Sequence, residues 1–527
     1  MKPRYADVCR EFRWSTHLDA LGWKSDGLVN LGETLVDRHR ATGRVALRWF
    51  GADGATREST FADLSGATNR FASLLRSLGV GAGDRVAGFM PRVPETIVAM
   101  IGTWKAGAVY VPVFTGFGAD AIGFRVAHSG AKVLTTHAEY RSRVPPSLAD
   151  TVTVIGNVAA AVADQPARFE TVGRRRDEPA VLLYTSGSTG PPKGVKIATN
   201  FPLAVAPYVR YGLDLRADDV FWPTGDPGWG YGLVCYAAAL GLGGAVVFHE
   251  AAPSPEFALA RLHTLGVTNF ATTPTLLRAI MALGEERVRR DRVRIRCASS
   301  CGEPLNAEVV NFFRRVWDVT VMDHYGSSEF GLPIGNFNAV DIEVKPGSMG
   351  LPFPGCRMSI VDDDGRDVTP DTVGQIAMQP DDIGYYSLGY WNDDERTREL
   401  DRGGWMTIGD LGRRDRDGYF WFEGRADDVI KSAGYRIGPF EVESAILLHP
   451  DVAEAAVVGA PDALRGQIVK AFVVLKSGRT VHPRLGDEIV DVVRRHVGHH
   501  QYPRAIEFVA QLPKTESGKI RRFRLRG

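Results

Sequence analysis

The eleven residues Tyr184-Thr185-Ser186-Gly187-Ser188-Thr189-Gly190-Pro191-Pro192-Lys193-Gly194 constrain the fold more than any other stretch of this chain. They follow an apolar run, Ala180 to Tyr184, with the length of a buried strand. The loop therefore leaves a strand at its carboxyl end, where open α/β sheets bind ligands. Glycines let backbone N–H groups approach oxyanions closely, and the hydroxyls and the Lys193 ammonium add donors and positive charge. These are the parts of a polyphosphate cradle. It is not a Walker loop, which ends in Gly-Lys-Ser/Thr and opens a helix. Here Pro191 and Pro192 precede the lysine, and Val195 to Ala198 reads as a second strand. A solvated Gly/Ser/Thr turn is the plain alternative. So long a run of restricted residue types, with a lysine at a fixed offset, weighs against it.

At 527 residues the chain exceeds what one core usually covers, so two or more domains are expected. Its 63 Lys and Arg against 62 Asp and Glu give a net charge of +1, which argues against a general nucleic-acid binder. The arginine-rich spots at Arg174 to Arg176, Arg289 to Arg296 and Arg521 to Arg526 read as solvated faces. Five scattered cysteines with no Cys-x-x-Cys pair indicate neither a disulfide framework nor a zinc site, and Cys297 and Cys301 read as buried thiols. The N-terminus lacks an apolar signal core, and no long apolar run follows, so a cytoplasmic protein without membrane insertion is expected. Residues 1–45 carry no interpretable motif.

From about residue 60 helix and strand periods alternate. Phe61, Leu64, Phe71, Leu75 and Leu78 fall on one helical face, Arg85 to Met90 extends, Glu95 to Trp104 is helical, and Val109 to Val113 extends again. Such alternation predicts an α/β fold with parallel sheets covered on both faces, and two such lobes fit before residue 340. The run Tyr231 to Phe248 reads as a buried helix followed by a strand. Gly347 to Phe422, rich in Gly, Asp and short β runs, predicts a small β-barrel-like lobe. A compact α+β unit ends the chain, with helices over Phe440 to Leu448 and Leu485 to Val497 and strands through Val457 and Ile468 to Leu475. The expected division is residues 1–424, a hinge at 425–428, and a mobile terminal domain at 429–527.

Four further segments occur in order: Gly302-Glu303-Pro304; Asp323-His324-Tyr325-Gly326-Ser327-Ser328-Glu329; Thr407-Ile408-Gly409-Asp410; and Pro513-Lys514-Thr515-Glu516-Ser517-Gly518-Lys519-Ile520. Each alone passes for a turn or a solvated tail. Together with the loop at 184–194 the series resembles the signatures of the adenylate-forming (AMP-binding) superfamily, and the whole chain is most similar to its acetyl-, propionyl- and medium-chain acyl-CoA synthetase branch. The resemblance implies ATP/AMP binding by Thr185 to Gly190 and Lys193, by the 302–304 turn along the adenine, and by Asp323 to Ser328 with Tyr325 stacking on the base. It also implies a ribose-binding Asp410 assisted by Arg425 and Arg436. Glu329 is the implied Mg2+ ligand; a hydroxyl-flanked carboxylate suits a hard cation that bridges phosphates. Lys519, with Glu329 and Thr185, is the implied catalytic group, its ammonium stabilising charge on the phosphoryl oxygens and departing pyrophosphate. Asp427 matches the hinge position, and Ala433, Gly434 and Tyr435 fall on the implied coenzyme A path.

The implied activity is an AMP-forming acid–thiol ligation, with a carboxylic acid, ATP and coenzyme A as substrates and a homo-oligomer as one possible assembly. Trp229, Gly230, Tyr231 and Gly326 are the implied acyl-pocket residues. Acetate-specific members carry tryptophan at the position of Gly326, so glycine there predicts space for a short- to medium-chain, branched or aryl acid in preference to acetate. Three rivals share the nucleotide motifs: an acyl-AMP ligase that loads a carrier protein, disfavoured because no carrier domain follows Gly527; an oxygenating luciferase, which nothing in the sequence marks; and a non-catalytic nucleotide-binding module, disfavoured because Lys519, Glu329 and Asp410 are all present.

Overall fold

Among the described residues, long apolar or alternating runs fold into four sheets, and the antiparallel one packs its core against Tyr325, Phe330 and Ile334. In the computed structural model the described residues are all but 1, 149, 186–190, 252, 291–292, 433–434, 463–464, 498–500, 515–519 and 527, and the side chains of residues 431, 435 and 436. A seven-stranded sheet runs in the order Ser387–Tyr390, Lys193–Ala198, Pro179–Thr185, Val109–Pro112, Arg85–Phe89, Ala131–Thr136 and Thr153–Ile155. Its central pairs are parallel, and Pro179–Thr185 forms an antiparallel hairpin with Lys193–Ala198 in which Thr185 faces Lys193. Thr185 and Lys193 thus flank the cradle segment, of which residues 186–190 lie outside the described residues.

The second sheet has nine strands, and its core of Ala245–His249, Val220–Pro223, Asn269–Thr272, Cys297–Cys301 and Val321–Ser327 is parallel. The two expected α/β lobes are present, with antiparallel strands added at their margins. Val45–Phe50 and Thr56–Thr60, which precede the first lobe in sequence, close one side of the second sheet. Ser387–Tyr390, which lies within the segment expected to form the small β lobe, instead edges the first sheet. Tertiary pairing reassigned these strands because hydrophobic alternation marks a strand without naming its partner.

Helix starts follow local chemistry. Phe61–Ser77 begins at a capping box between Thr60 and Asp63, and Ala307–Trp317 buries Val309, Val310, Phe312, Phe313 and Trp317 along one face. The third sheet is antiparallel: Arg357–Val361, Gly374–Gln379, Trp405–Arg414 and Asp401–Arg402, with Phe420–Arg425 paired to Trp405–Arg414. The fourth contains Val452–Asp462 and Gly466–Leu475 and packs against helices Pro439–Ile446 and Leu485–His496.

The N-terminal segment acts as a strap. The Tyr5 hydroxyl donates to the Pro352 carbonyl at 2.8 Å, and Phe12 and Trp14 lie against the bare faces of Gly355 and Gly384. The basic spots are largely neutralised: Arg174 pairs with Glu178, Arg175 with Asp177, Arg289 with Glu285 and Arg296 with Asp214 and Asp219. Cys297 and Cys301 are buried. Among the described residues no helix is long and apolar enough to cross a membrane.

Candidate functional site

Three sheets meet at one seam. Val321–Ser327 brings Tyr325 to the margin of the nine-stranded sheet, and Trp405–Arg414 brings Asp410 to the margin of the antiparallel sheet. The Tyr325 hydroxyl donates to Asp410 Oδ2 at 2.7 Å. Asp410 Oδ1 accepts from Arg425 Nη1 at 2.9 Å, because Asp410 and Arg425 face each other across the antiparallel pair. Arg425 Nε also lies 3.5 Å from Asp427 Oδ1. Burial, with the Asp410 carboxylate beside it, pushes the Tyr325 phenol well above its usual range, so it remains a donor. The Tyr325 ring lies 6.4 Å from that of Phe422, which lies 6.4 Å from Phe440 on helix Pro439–Ile446. A bond of 2.9 Å from Asn306 Nδ2 to Ser444 Oγ makes a second tie to that helix.

Asp323 and His324, one and two residues before Tyr325, point into the protein. Asp323 Oδ1 is buried without a hydrogen-bond partner, and burial raises its carboxyl well above the ordinary range. His324 Nε2 lies 3.0 Å from the Asn336 carbonyl, and burial lowers the imidazole to about 3. The ring is neutral, with its proton on Nε2 and Nδ1 left as a buried acceptor without a partner. Such orphaned atoms are uncommon in folded proteins.

Glu329 is 9 % exposed, and its Oε1 accepts from the Tyr390 hydroxyl at 2.9 Å. Ser327 Oγ accepts from the amides of Glu329 and Phe330 at 3.2 and 2.9 Å, which fixes the turn. Glu329 Oε2 has no hydrogen-bond partner among the described residues, and no group of three His, Cys, Asp or Glu gathers among them. One pinned carboxylate with a free oxygen fits Mg2+, which usually takes one or two carboxylates plus substrate phosphates rather than an all-protein cage. Lys193 stands nearby, its Nζ 5.2 Å from the Tyr390 ring centroid. Sequence reasoning missed Tyr390; a tyrosine in a four-residue strand carries no local signal.

The turn at 302–304 offers a ligand its backbone. Gly302 takes φ +98°, and the Glu303 carboxylate is already committed to Arg278 at 2.6 Å and to the Thr275 hydroxyl at 2.8 Å. Trp229 precedes helix Gly230–Gly241 and packs on Phe114 and Phe117, with ring centroids at 5.3 and 5.8 Å, and its buried Nε1 has no hydrogen-bond partner among the described residues. Its loop is set by Asp226, which meets Arg92 Nε at 3.2 Å and accepts from the Gly228 amide at 2.7 Å. The Tyr231 hydroxyl lies 3.5 Å from that of Tyr208.

One expectation needs correction. Glycine at 326 does not leave open space on its side-chain side: an added Cβ would stand 2.2 Å from the Gly331 carbonyl oxygen and 2.8 Å from Leu332 Cδ2. The reason is the tight antiparallel return of Gly331–Gly335 along Val321–Ser327, with its irregular register between Tyr325 and Ser327. Ser186 to Gly190, Ala433, Gly434 and Lys519 lie outside the described residues, as do the side chains of Tyr435 and Arg436. The base of the Lys519 loop is described: Lys514 and Ile520 form a β-bridge, and the Arg521 amide donates to Pro513 O at 2.8 Å.

Residues 36–391 match the family described as AMP-binding enzyme, and residues 441–519 match the AMP-binding enzyme C-terminal domain. The chain belongs to the AMP-binding enzyme family. It is 37% identical over 541 residues to the acetyl-coenzyme A synthetase of Bacillus subtilis, covering 98% of this chain and 94% of that one. Among solved structures, the Brucella canis acyl-CoA synthetase matches with a TM-score of 0.79 at 39% identity, over 99% of this chain and 98% of that one. The anthranilate CoA ligase AuaEII in complex with anthranoyl-AMP matches with a TM-score of 0.86 at 29% identity, over 94% and 96%. The large α/β domain with a smaller C-terminal domain is therefore the fold of this family as well as of this chain.

Proposed function

We propose that the protein is an AMP-forming acyl-CoA synthetase. The carrying observation is the meeting of Tyr325, Asp410 and Arg425, from three chain segments, beside the pinned Glu329 and Lys193. In the first half-reaction a carboxylate oxygen attacks the α-phosphorus of ATP and the bond to pyrophosphate breaks, giving acyl-AMP. In the second, a thiol sulfur of coenzyme A attacks the acyl carbon, the bond to AMP breaks, and the thiol proton is released.

Asp410 accepts from the ribose hydroxyls, a discriminating role for a carboxylate already held by two donors. Glu329 would hold Mg2+, which would supply charge neutralisation at the phosphates. The loop from Thr185 to Gly190 and Lys193 grips the phosphates, and the Lys519 ammonium lowers the barrier where charge gathers on the phosphoryl oxygens. Residues 425–428 form the hinge between domains 1–424 and 429–527. Rotation about it withdraws Lys519 and brings Ala433, Gly434 and Tyr435 to the thiol path.

The acid is a short- to medium-chain, branched or aryl acid in preference to acetate. One observation supports this: a structural neighbour is an anthranilate CoA ligase. The filled space beside Gly326 adds no room of its own. The 37% identical relative named acetyl-coenzyme A synthetase favours acetate as the second reading. Incubation with ATP, Mg2+ and a panel of acids, with and without coenzyme A, decides. Thioester, AMP and pyrophosphate are expected. Pyrophosphate exchange without thioester indicates carrier-protein loading, and no exchange with any acid indicates a non-catalytic nucleotide binder.

A further inference from the structure

We propose that Tyr390 is a positioning residue that aims Glu329 at the metal and keeps Lys193 apart from it; this rests on the reading of Glu329 given above. Tyr390 is 4 % exposed and reaches across the gap between two sheets. Its hydroxyl, at 2.9 Å from Oε1, holds the carboxylate that projects from the nine-stranded sheet, while its ring lies 5.2 Å from the ammonium on the seven-stranded sheet. Neutral phenol donation orients a carboxylate without cancelling its charge, and the ring face attracts a cation without taking its protons. Among the described residues Glu329 Oε1 meets the Tyr390 hydroxyl, Lys193 meets the Tyr390 ring, and no ion pair joins Lys193 to Glu329. With the phenol between them, each keeps its charge for a ligand: one for a cation, the other for phosphate.

The backbone around Tyr390 is built to hold it there. Its amide donates to Thr397 Oγ1 at 2.9 Å, and the Trp391 amide donates to the Gly194 carbonyl at 2.7 Å, beside the lysine. Gly389 takes φ +81°, and an added Cβ would stand 2.2 Å from Thr397 Cγ2, so only glycine lets the strand end press against Thr397, in the short helix Asp394–Arg398.

Two substitutions separate the hydroxyl from the ring, with Glu329→Gln as the reference. Binding of Mn2+ is followed by electron paramagnetic resonance in the presence of a non-hydrolysable ATP analogue, and binding of the analogue by calorimetry, with thermal midpoints checking the fold. Tyr390→Phe is expected to raise the Mn2+ dissociation constant about 10- to 100-fold, the range typical when the partner of a metal ligand is lost. It leaves the KM for the acid unchanged. Tyr390→Leu is expected to weaken the analogue further, because Lys193 can then close on Glu329. If Glu329→Gln weakens Mn2+ and Tyr390→Phe does not, the proposal is overturned while the assignment of Glu329 stands. If Glu329→Gln leaves Mn2+ binding unchanged, both are overturned.

Discussion

Asp410 is held on both sides, by the Tyr325 hydroxyl at 2.7 Å and by Arg425 Nη1 at 2.9 Å, so the carboxylate read as the ribose acceptor is locked before a nucleotide arrives. Preorganisation of this kind spares a ligand the cost of ordering the site. It also joins the nine-stranded sheet to the strand leading into the hinge segment.

Asp410→Asn is expected to raise the KM for ATP roughly tenfold, about 1.4 kcal/mol, with a smaller change in kcat. Steady-state kinetics at saturating acid and coenzyme A check this. Tyr325→Phe keeps the ring and loses only the donor, so its effect on the KM for ATP should be smaller than that of Asp410→Asn.

Lys519→Ala is expected to abolish adenylate formation, measured by pyrophosphate exchange, while thioester formation from supplied acyl-adenylate continues. Equal loss of both half-reactions would refute an adenylation-specific ammonium. Lysine acetylation removes the same charge and should act in the same direction.

Gly326→Ala is expected to lower the thermal midpoint, because its Cβ would stand 2.2 Å from the Gly331 carbonyl oxygen. Overpacking of a fixed backbone costs about 1–3 kcal/mol. Gly326→Trp must displace the hairpin as well, so a clean gain of acetate preference is not expected from that substitution alone. A stable Gly326→Trp variant with unaltered kcat/KM for longer acids would contradict the close packing.

Stability should fall as the pH rises from the ordinary glutamate range through about 7, and level off above it, through Glu423. Burial, then the Glu441 carboxylate, raises this carboxyl to about 7, although Arg413 Nε meets it at 3.0 Å. A raised folded-state value means the native protein binds the extra proton, so the contribution is full at low pH and is lost as Glu423 ionises. Glu423→Gln should flatten that part of a thermal-midpoint profile. An unchanged profile would remove Glu423 as its source.

Much of the fold is local in origin and was legible in the sequence. The run Ala180 to Tyr184 became strand Pro179–Thr185, and the run Tyr231 to Phe248 became helix Gly230–Gly241 and strand Ala245–His249. The strand partners were not legible: Ser387–Tyr390 and Val45–Phe50 pair with segments far away in sequence. The site motifs could be read because each is a contiguous string of residue types that the chemistry of phosphate, ribose and a hard cation demands.

The chain alone thus determined the order of its binding segments and the alternation of helix and strand, since both arise from neighbours along the backbone. Only the tertiary structure decided that Tyr390 meets Glu329 across 61 residues, that Arg92 meets Asp226 across 134, and that the space beside Gly326 is filled. The first two join segments far apart in sequence and leave no period or motif there, and the third depends on the register of an antiparallel return, which the residue pattern does not fix.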